Sequence, residues 1–243
     1  SFDGTGYGTD GTIWGGEILL ADYREFQRLG SISPFLQIGG DASAKEGWRI
    51  AVSMINALYP DSAAEIVAKL ELCEPQMQKL YLQMASRGIN SVVSTSAGRL
   101  FDAVSAILGV RRQSSFEGEA STTLQFRAEE HEKRSCRDGR DPQREMKPWL
   151  EKLATDEGDI PGDFPEISPA DDRFLLPTDR LVRLLVGLKL AGEDVCRLAY
   201  FFHLSLAEQI REGCRRASKM TGVTSCALSG GVFQNRLLLK LCD

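Results

Sequence analysis

The most informative segment of the sequence is S-G-G-V-F-Q-N at residues 229–235, which stands between the apolar runs 223–228 and 237–241. An apolar run, paired glycines and a second apolar run predict a strand, a tight turn and a helix. Such a turn directs free backbone N–H groups and a helix N-terminus at whatever lies over it, which favours an anion such as phosphate. Paired glycines also end buried strands for packing reasons alone, so the segment by itself leaves both interpretations open.

A second glycine-rich segment lies at the opposite end of the chain, with D-G-T-G-Y-G-T-D-G at residues 3–11 and T-I-W-G-G-E at 12–17. It lacks the Gly-Lys-Ser/Thr of a Walker loop, so a phosphate site with its own lysine is not predicted. It offers instead the carboxylate of Asp3 beside glycines and threonines, which suits a divalent cation and phosphate oxygens. The alternative is a hairpin whose aspartates form Asx-turns. Two such turns can meet across one nucleotide, which favours the ligand interpretation of both.

Composition places the chain among ordinary soluble globular proteins. It has 243 residues, of which 42% are hydrophobic and 26% charged, with a net charge of −5 and a pI near 5.3. No basic field attracts nucleic acid or acidic lipid, no apolar run has the length of a membrane span, and no signal peptide opens the chain. We therefore expect a cytoplasmic protein without nucleic-acid or membrane partners.

The cysteines and histidines predict neither a disulfide framework nor a complete zinc site. Six cysteines are scattered without a Cys-x-x-Cys pair, as expected for reduced thiols. His131 and His203 are the two histidines, and neither has metal-ligand spacing to another histidine or cysteine. The charged run around His131 predicts a surface position, whereas the aromatic residues before His203 predict a core position or a helix boundary.

Hydrophobic periodicity predicts a helix-dominated α/β chain with strands at both ends. A hairpin around Asp10-Gly11 and an extended segment over 26–35 come first. Helices are expected over 42–58, 75–87, 98–110, 116 to about 132, 179–190 and 194–217. Residues 133–172 are rich in charge, proline and glycine, which predicts a solvated connector or partly ordered insertion.

Two of these helices carry specific expectations. Asp41 or Ser43 is predicted to cap the helix over 42–58. In the helix over 75–87, the periodicity places Met77, Leu80 and Met84 on one apolar face.

Several residues have two open interpretations, a ligand contact and a structural role. Gly39-Gly40-Asp41 either brings backbone close to a ligand or only begins a helix. Glu117-Gly118 either presents a carboxylate to a ribose or complements a helix dipole. Arg99 and Asp102, one turn apart, are expected to form an ion pair. Asn235, expected one turn into the last helix, either reads an adenine edge or bonds its own backbone.

Four segments together resemble one family. They are FDGTGYGTDGTIWGGE at 2–17, GRLFDAVSAILGV at 98–110, SFEGEAS at 115–121 and LSGGVFQNRLLL at 228–239. With them the chain resembles the C-terminal carbamoyltransferase region of HypF-type nickel–iron hydrogenase maturation proteins. The likeness covers most of the chain and is poorest near 133–172.

The resemblance implies an actin/Hsp70-like (ASKHA) fold with two lobes and a nucleotide between them, related to the tRNA threonylcarbamoyl transferases. Residues 1–243 are then a carbamoyltransferase region truncated at both ends, which leaves the fold incomplete. The implied activity moves a carbamoyl group from carbamoyl-adenylate, made with ATP, to the C-terminal cysteine thiol of a HypE-type protein.

The resemblance also implies roles for individual residues. Asp3 is expected to bind a divalent metal (zinc, iron or magnesium). Phosphate contacts are expected from Gly4, Thr5 and Gly6, ribose contacts from Glu117 and Gly118, and phosphate and adenosine contacts from Gly230, Gly231 and Asn235. The nucleotide site predicted from pattern and resemblance together also includes Ser229, Gly39, Gly40 and Asp41.

The chain departs from the family pattern at its two ends. In the family, paired metal-binding histidines precede the Asp-Gly-Thr-Gly loop, and an Asn-Asp-Gly-Gly segment follows the last helix. Neither is in this sequence, so Asp3 is the one expected metal ligand present. We therefore expect weak metal binding, and nucleotide binding without turnover. The alternatives are an O-carbamoyltransferase of natural-product biosynthesis and a non-catalytic actin-like module that binds a nucleotide or a partner.

Overall fold

The structure is a computed structural model that describes residues 1–155 and 173–243. Within them the strands are β1 (Phe2–Tyr7), β2 (Ile13–Ala21), β3 (Phe26–Ile32), β4 (Phe35–Ile38), β5 (Ser91–Ser94) and β6 (Phe174–Leu176). The α-helices are α1 (Gly47–Leu58), α2 (Ala63–Lys69), α3 (Pro75–Arg87), α4 (Ala97–Ile107), α5 (Glu119–Arg137), α6 (Pro142–Thr155), α7 (Thr178–Leu190), α8 (Val195–Thr221) and α9 (Arg236–Cys242). Two 3-10 turns span Gly40–Ala44 and Gly231–Gln234.

The strands form one mixed sheet in the order β4-β5-β2-β3-β6, with β1 also paired to β2. β1 and β2 form the predicted hairpin and pair in antiparallel fashion, with Gly6 opposite Trp14 and Tyr7 opposite Ile13. β2 continues antiparallel to β3 and parallel to β5. β2 therefore lies inside the sheet, whereas β1 pairs with β2 alone among the described strands.

Helices cover the sheet, and α4 and α8 lie at the centre of the core. α4 packs on α1 and β1, whereas α8 packs along α5 and touches β2, β3 and β6. Phe101 of α4 meets Phe202 of α8 edge to face, with ring centroids 4.9 Å apart. Both side chains are fully buried. Edge-to-face aromatic pairs add stabilisation beyond the burial of their area.

Local signals mark both ends of α8. The side chain of Asp194 accepts a hydrogen bond of 2.9 Å from the backbone N–H of Arg197, which caps the N-terminus. Gly222 ends the helix in the left-handed region at φ 75°. The predicted helix over 194–217 is confirmed and continues to Thr221.

The predicted start of the first long helix is wrong. Gly39 and Gly40 have φ values of 92° and 59°, which interrupt helical geometry, and α1 begins only at Gly47. Neither Asp41 nor Ser43 caps it, because the Ser43 hydroxyl donates instead to the carbonyl of Gly40 at 2.5 Å. Periodicity alone did not separate the 3-10 turn from the helix that follows it.

The apolar face predicted for α3 is not the face that the helix buries most deeply. Met77 and Leu80 are 37% and 50% exposed, whereas Tyr81 and Ala85 are buried. The Tyr81 ring packs against Trp48 of α1 with centroids 4.7 Å apart. The sequence of α3 has apolar residues on two faces, and the neighbouring helix determines which of them is buried.

Residues 133–155, part of the predicted connector or partly ordered insertion, are mostly helical. α5 continues to Arg137, and α6 packs on α5, α7 and α8. α6 also covers His131, which is buried rather than on the surface, with its Nε2 3.5 Å from Oε2 of Glu145. Burial lowers the pKa of His131, although the Glu145 carboxylate opposes that shift. The rest of the predicted connector, 156–172, lies outside the described residues.

The strand predicted over 223–228 is absent, since these residues have no regular secondary structure. Val223 is 45% exposed, and no strand of the described residues pairs with this segment. A strand needs a neighbour for its backbone hydrogen bonds, and an apolar run does not reveal whether one is present. The helix after the glycine turn is confirmed as α9, with Asn235 as its N-cap rather than inside its first turn.

The two ends of the chain meet directly at this turn. The backbone N–H of Phe2 donates a hydrogen bond of 2.7 Å to the carbonyl of Ser229, and the rings of Phe2 and Phe233 lie 5.6 Å apart. Gly230 has φ 104° and ψ 159°, a conformation open almost only to glycine. A Cβ at Gly230 would lie 2.1 Å from the Phe2 carbonyl oxygen.

We expect Gly230→Ala to lower the free energy of unfolding by roughly 3 kcal/mol or more, because it adds a backbone clash to an unfavourable conformation. Gly222→Ala is the matched control. Gly222 also has a positive φ, 75°, but a Cβ there meets nothing within 4 Å. It should cost about 1 kcal/mol. Urea unfolding of both variants measures the difference, and equal losses would contradict the close contact between the chain ends.

Candidate functional site

A cleft of about 770 Å³ opens where the chain ends meet. Its walls come from the start of β1, the N-terminal turns of α4 and α5, the turn at Gly231–Gln234 and the start of α9. The residues that line it include Asp3, Gly4, Gly98, Arg99, Asp102, Glu117, Gly118, Gln125, Phe126, Glu129, Gly231, Asn235 and Arg236. Segments distant in sequence therefore share one concave surface.

Glycines allow three of these segments to approach closely. A Cβ on Gly98 would lie 2.8 Å from the Cα of Gly4, and a Cβ on Gly231 would lie 3.1 Å from Oδ1 of Asp3. The same Asp3 oxygen accepts a hydrogen bond of 2.8 Å from the N–H of Gly4. The Asp3 carboxylate consequently lies beside the Gly231 turn.

Two long helices begin at the cleft. Ser96 caps α4, because its side-chain oxygen accepts a hydrogen bond of 3.1 Å from the backbone N–H of Arg99. The same hydroxyl donates a hydrogen bond of 3.3 Å to the carbonyl oxygen of Asp3. α5 begins after Gly118, which has φ 77°. Helix N-termini carry partial positive charge and unpaired N–H groups. Both helices thus favour an anion in the cleft.

Arg99 and Asp102 form the predicted ion pair, with Nη2 3.0 Å from Oδ2. A second guanidinium nitrogen of Arg99 donates to the carbonyl of Ala44 at 2.7 Å. Both residues are nearly buried at the wall of the cleft. Burial raises the pKa of Asp102 to about 6, and the Arg99 guanidinium only partly offsets that shift. The pair therefore belongs to the cleft as well as to the helix.

Asn235 bonds both its own helix and a buried histidine. Its Oδ1 accepts 3.0 Å from the N–H of Leu238, and its Nδ2 lies 2.9 Å from Nε2 of His203. Nδ1 of His203 lies 2.7 Å from the carbonyl oxygen of Ala199. Burial lowers the pKa of His203 to about 4, so the ring is neutral near pH 7. The predicted core position of His203 is confirmed.

The cleft brings together part of the site expected from sequence. Asp3, Gly4, Glu117, Gly118, Gly231 and Asn235 line it. Ser229 and Gly230 lead directly into the Gly231 turn, whereas Thr5 and Gly6 continue along β1 and are exposed.

Gly39, Gly40 and Asp41, also expected at the nucleotide site, do not lie with the other expected residues. None of the three is among the described residues that line the cleft. The N–H of Gly39 donates 2.9 Å to the carbonyl of Asn90, and a Cβ at Gly39 would meet the Arg49 side chain at 2.8 Å. The glycines there serve a tight turn beside α1.

Sequence reasoning missed several residues that line the cleft. Gly98 lies at the start of a helix that directly follows β5, a position that could have marked it. Phe126, 60% exposed, lies about two turns beyond Glu117-Gly118 and carried no such signal. Arg236 directly follows Asn235 within the segment 228–239, and that position could have marked it.

The rest of the N-terminal motif is structural. Asp10 forms the alternative Asx-turn, with Oδ1 accepting 3.0 Å from the N–H of Thr12. Glu17 is buried and accepts a hydrogen bond of 2.6 Å from Nε of Arg28. Arg28 also lies over the Trp14 ring, 4.1 Å from its centroid. These contacts hold the hairpin that carries Asp3.

The described residues do not form a metal site on their own. Residues 1–155 and 173–243 contain no group of three histidine, cysteine or acidic side chains placed to hold a metal ion. Asp3 supplies one carboxylate, fewer ligands than zinc, iron or magnesium usually takes from a protein. In the same part of the chain, no helix has the length and apolarity to cross a bilayer.

Comparison with known proteins identifies the family. A model of the carbamoyltransferase, Kae1-like domain, second subdomain, matches residues 1–243. Carbamoyltransferase HypF of Rhodobacter capsulatus is 36% identical over 240 residues, which are 98% of this chain and 27% of that protein. The chain belongs to the carbamoyltransferase HypF family. The probable carbamoyltransferase HypF of Methanocaldococcus jannaschii is 27% identical, again over 27% of its length. The chain thus spans about a quarter of these relatives.

Solved HypF structures confirm the α/β, actin/Hsp70-like fold. Full-length HypF in its phosphate- and nucleotide-bound form matches with a TM-score of 0.74 and 25% identity, over 100% of this chain and 33% of that one. HypF of T. kodakarensis matches with a TM-score of 0.71 and 25% identity, over 100% of this chain and 29% of that one.

The buried histidine predicts a dependence of stability on pH. The pKa of His203 falls from 6.5 to about 4 on folding, so the unfolded chain binds a proton more readily. Its stabilising contribution is complete above pH 6.5 and is lost as pH falls through about 4. When the pH falls from about 7 to about 4.5, we expect the free energy of unfolding of the unsubstituted chain to fall by about 2 kcal/mol more than that of the His203→Gln variant. Urea unfolding at both pH values measures this, and parallel losses in both proteins would contradict a neutral buried ring.

Proposed function

We propose that this chain forms the nucleotide-binding part of a carbamoyltransferase that acts in nickel–iron hydrogenase maturation. It holds carbamoyl-adenylate, made from carbamoyl phosphate and ATP, while the carbamoyl group passes to the C-terminal cysteine thiol of a HypE-type protein in the cytoplasm. The observation that carries the proposal is the convergence of Asp3, Gly118, Gly231 and Asn235 on one cleft in a member of the HypF family. The nucleotide-bound form of a solved HypF supports the choice of ligand.

The electrostatics of the cleft suit this chemistry. After the thiol has lost its proton to water, its sulfur attacks the carbamoyl carbon and a C–S bond forms. The bond from that carbon to the phosphate oxygen breaks, and its electron pair leaves with AMP. The N-termini of α4 and α5 and the amides of the Gly231 turn favour negative charge where it develops.

The proposal takes the nucleophile from the partner protein. Among the described residues, those that line the cleft include no cysteine or histidine. That composition agrees with an acceptor thiol that enters from outside. A divalent metal at Asp3 remains part of the proposal as a ligand only, and no step depends on it, because Asp3 alone does not complete a coordination shell.

We expect Gly231→Ala to weaken AMP binding by about tenfold or more, which calorimetric titration measures. The added Cβ would lie 3.1 Å from Oδ1 of Asp3 and would displace the turn or the carboxylate. Gly187→Ala is the matched control, because a Cβ at that exposed position of α7 meets nothing within 4 Å. An unchanged AMP affinity in Gly231→Ala would place the nucleotide elsewhere.

Acceptor specificity is tested in a chimaera in which this chain replaces the matching region of Rhodobacter capsulatus HypF. With labelled carbamoyl phosphate and ATP, we expect label on a peptide ending in cysteine and none on the same peptide ending in serine, because the thiolate is the stronger nucleophile. The isolated chain should bind AMP without transfer. Label on a sugar hydroxyl would favour an O-carbamoyltransferase. Absence of both AMP binding and transfer would favour a non-catalytic module.

A further inference from the structure

We propose that His203 is a positioning residue, which fixes the side-chain amide of Asn235 so that one N–H and one oxygen lone pair of the amide face the cleft. The inference rests on the proposed nucleotide binding, because it gives that amide a ligand. The fitting group offers an acceptor and a donor side by side, as a purine edge does.

The hydrogen-bond chemistry determines each donor and acceptor in this chain of contacts. A backbone carbonyl only accepts, so Nδ1 of His203 carries the proton that bonds Ala199 at 2.7 Å. A backbone N–H only donates, so the Asn235 atom 3.0 Å from the N–H of Leu238 is the oxygen. The Asn235 NH₂ group therefore faces Nε2 of His203 at 2.9 Å. The neutral ring accepts there, whereas a charged ring would oppose one donor with another.

The surroundings of His203 hold the ring in place. The side chain is fully buried on α8, and its ring lies 5.4 Å from that of Phe101 and 5.6 Å from that of Phe202, both edge to face. A ring packed in this way cannot follow a rotating amide. The amide must therefore adopt the orientation that the ring accepts.

A ligand in the cleft would bond the donor and the lone pair of the Asn235 amide that no protein group uses. The amide has two N–H donors and an oxygen with two lone pairs. His203 and Leu238 use one of each, and the side-chain amide of Asn235 has no further hydrogen bond within residues 1–155 and 173–243. Asn235 is 8% exposed and lines the cleft. His203 thus acts on the ligand through Asn235, without touching the cleft itself.

The test compares His203→Phe with His203→Gln, each with Asn235 or with Asn235→Ser. Phenylalanine keeps an aromatic ring but removes the acceptor, whereas glutamine keeps an acceptor. Serine at 235 retains an N-cap but has no amide. AMP affinity is measured by calorimetry. In the ligand-free protein, NMR determines the His203 tautomer and the exchange rate of the Asn235 side-chain N–H groups.

We expect His203→Phe to weaken AMP binding by about tenfold when residue 235 is asparagine, and by less than about twofold when it is serine. The His203→Gln variant should bind AMP within about threefold of the unsubstituted chain. Equal weakening by His203→Phe in both backgrounds, or none in either, would overturn the inference. So would a proton on Nε2 rather than Nδ1. If the unsubstituted chain does not bind AMP, the proposed function fails. The tautomer and the exchange rates then still decide whether His203 fixes the amide.

Discussion

The contact between the two ends of the chain is the constraint on which the site depends. The N–H of Phe2 bonds the carbonyl of Ser229 at 2.7 Å, and the absence of a side chain at Gly230 lets the two backbones approach. β1 starts at this contact and carries Asp3 to the Gly231 turn. Because β1 also pairs with β2 and packs on α4, the contact sets the position of the cleft relative to the sheet. The two ends of the chain thus form one site mainly because their backbones can approach closely, and less because their side chains attract each other.

The sequence predicted those features that depend on a few adjacent residues. The hairpin, α8 and α9 were predicted, and each is bounded by local turn or capping residues, although the caps Gly222 and Asn235 were not identified as such from the sequence. The features that were wrong depend on distant neighbours. His131 is buried because α6 covers it, and the face of α3 with Tyr81 is buried because Trp48 lies opposite. The apolar run 223–228 lacks a strand neighbour in the described residues, which hydrophobicity does not encode.

The candidate site was predictable to a similar extent. Glycine-rich turns and the family resemblance singled out Asp3, Gly118 and Gly231, since a turn requires its glycine wherever it lies. Phe126 was missed because a phenylalanine on a helix is usually in the core, and only the packing of α5 on α8 leaves this one exposed. The glycines at 39–40 have the same local signal, but they form a turn outside the cleft.

The charges in the cleft explain why composition gave so little indication of an anion site. Arg99 is paired with Asp102, and no lysine is among the described residues that line the cleft. The carboxylate of Asp3 even adds negative charge beside the Gly231 turn. We therefore expect attraction for phosphate from Arg236, which also lines the cleft, and from the aligned peptide dipoles of α4 and α5, which carry no net charge and do not enter a count of lysines and arginines. Such dipoles act only within the first helical turn. A phosphate must therefore come close to the helix ends, as the glycines permit, because a chain of net charge −5 does not attract it over a long range.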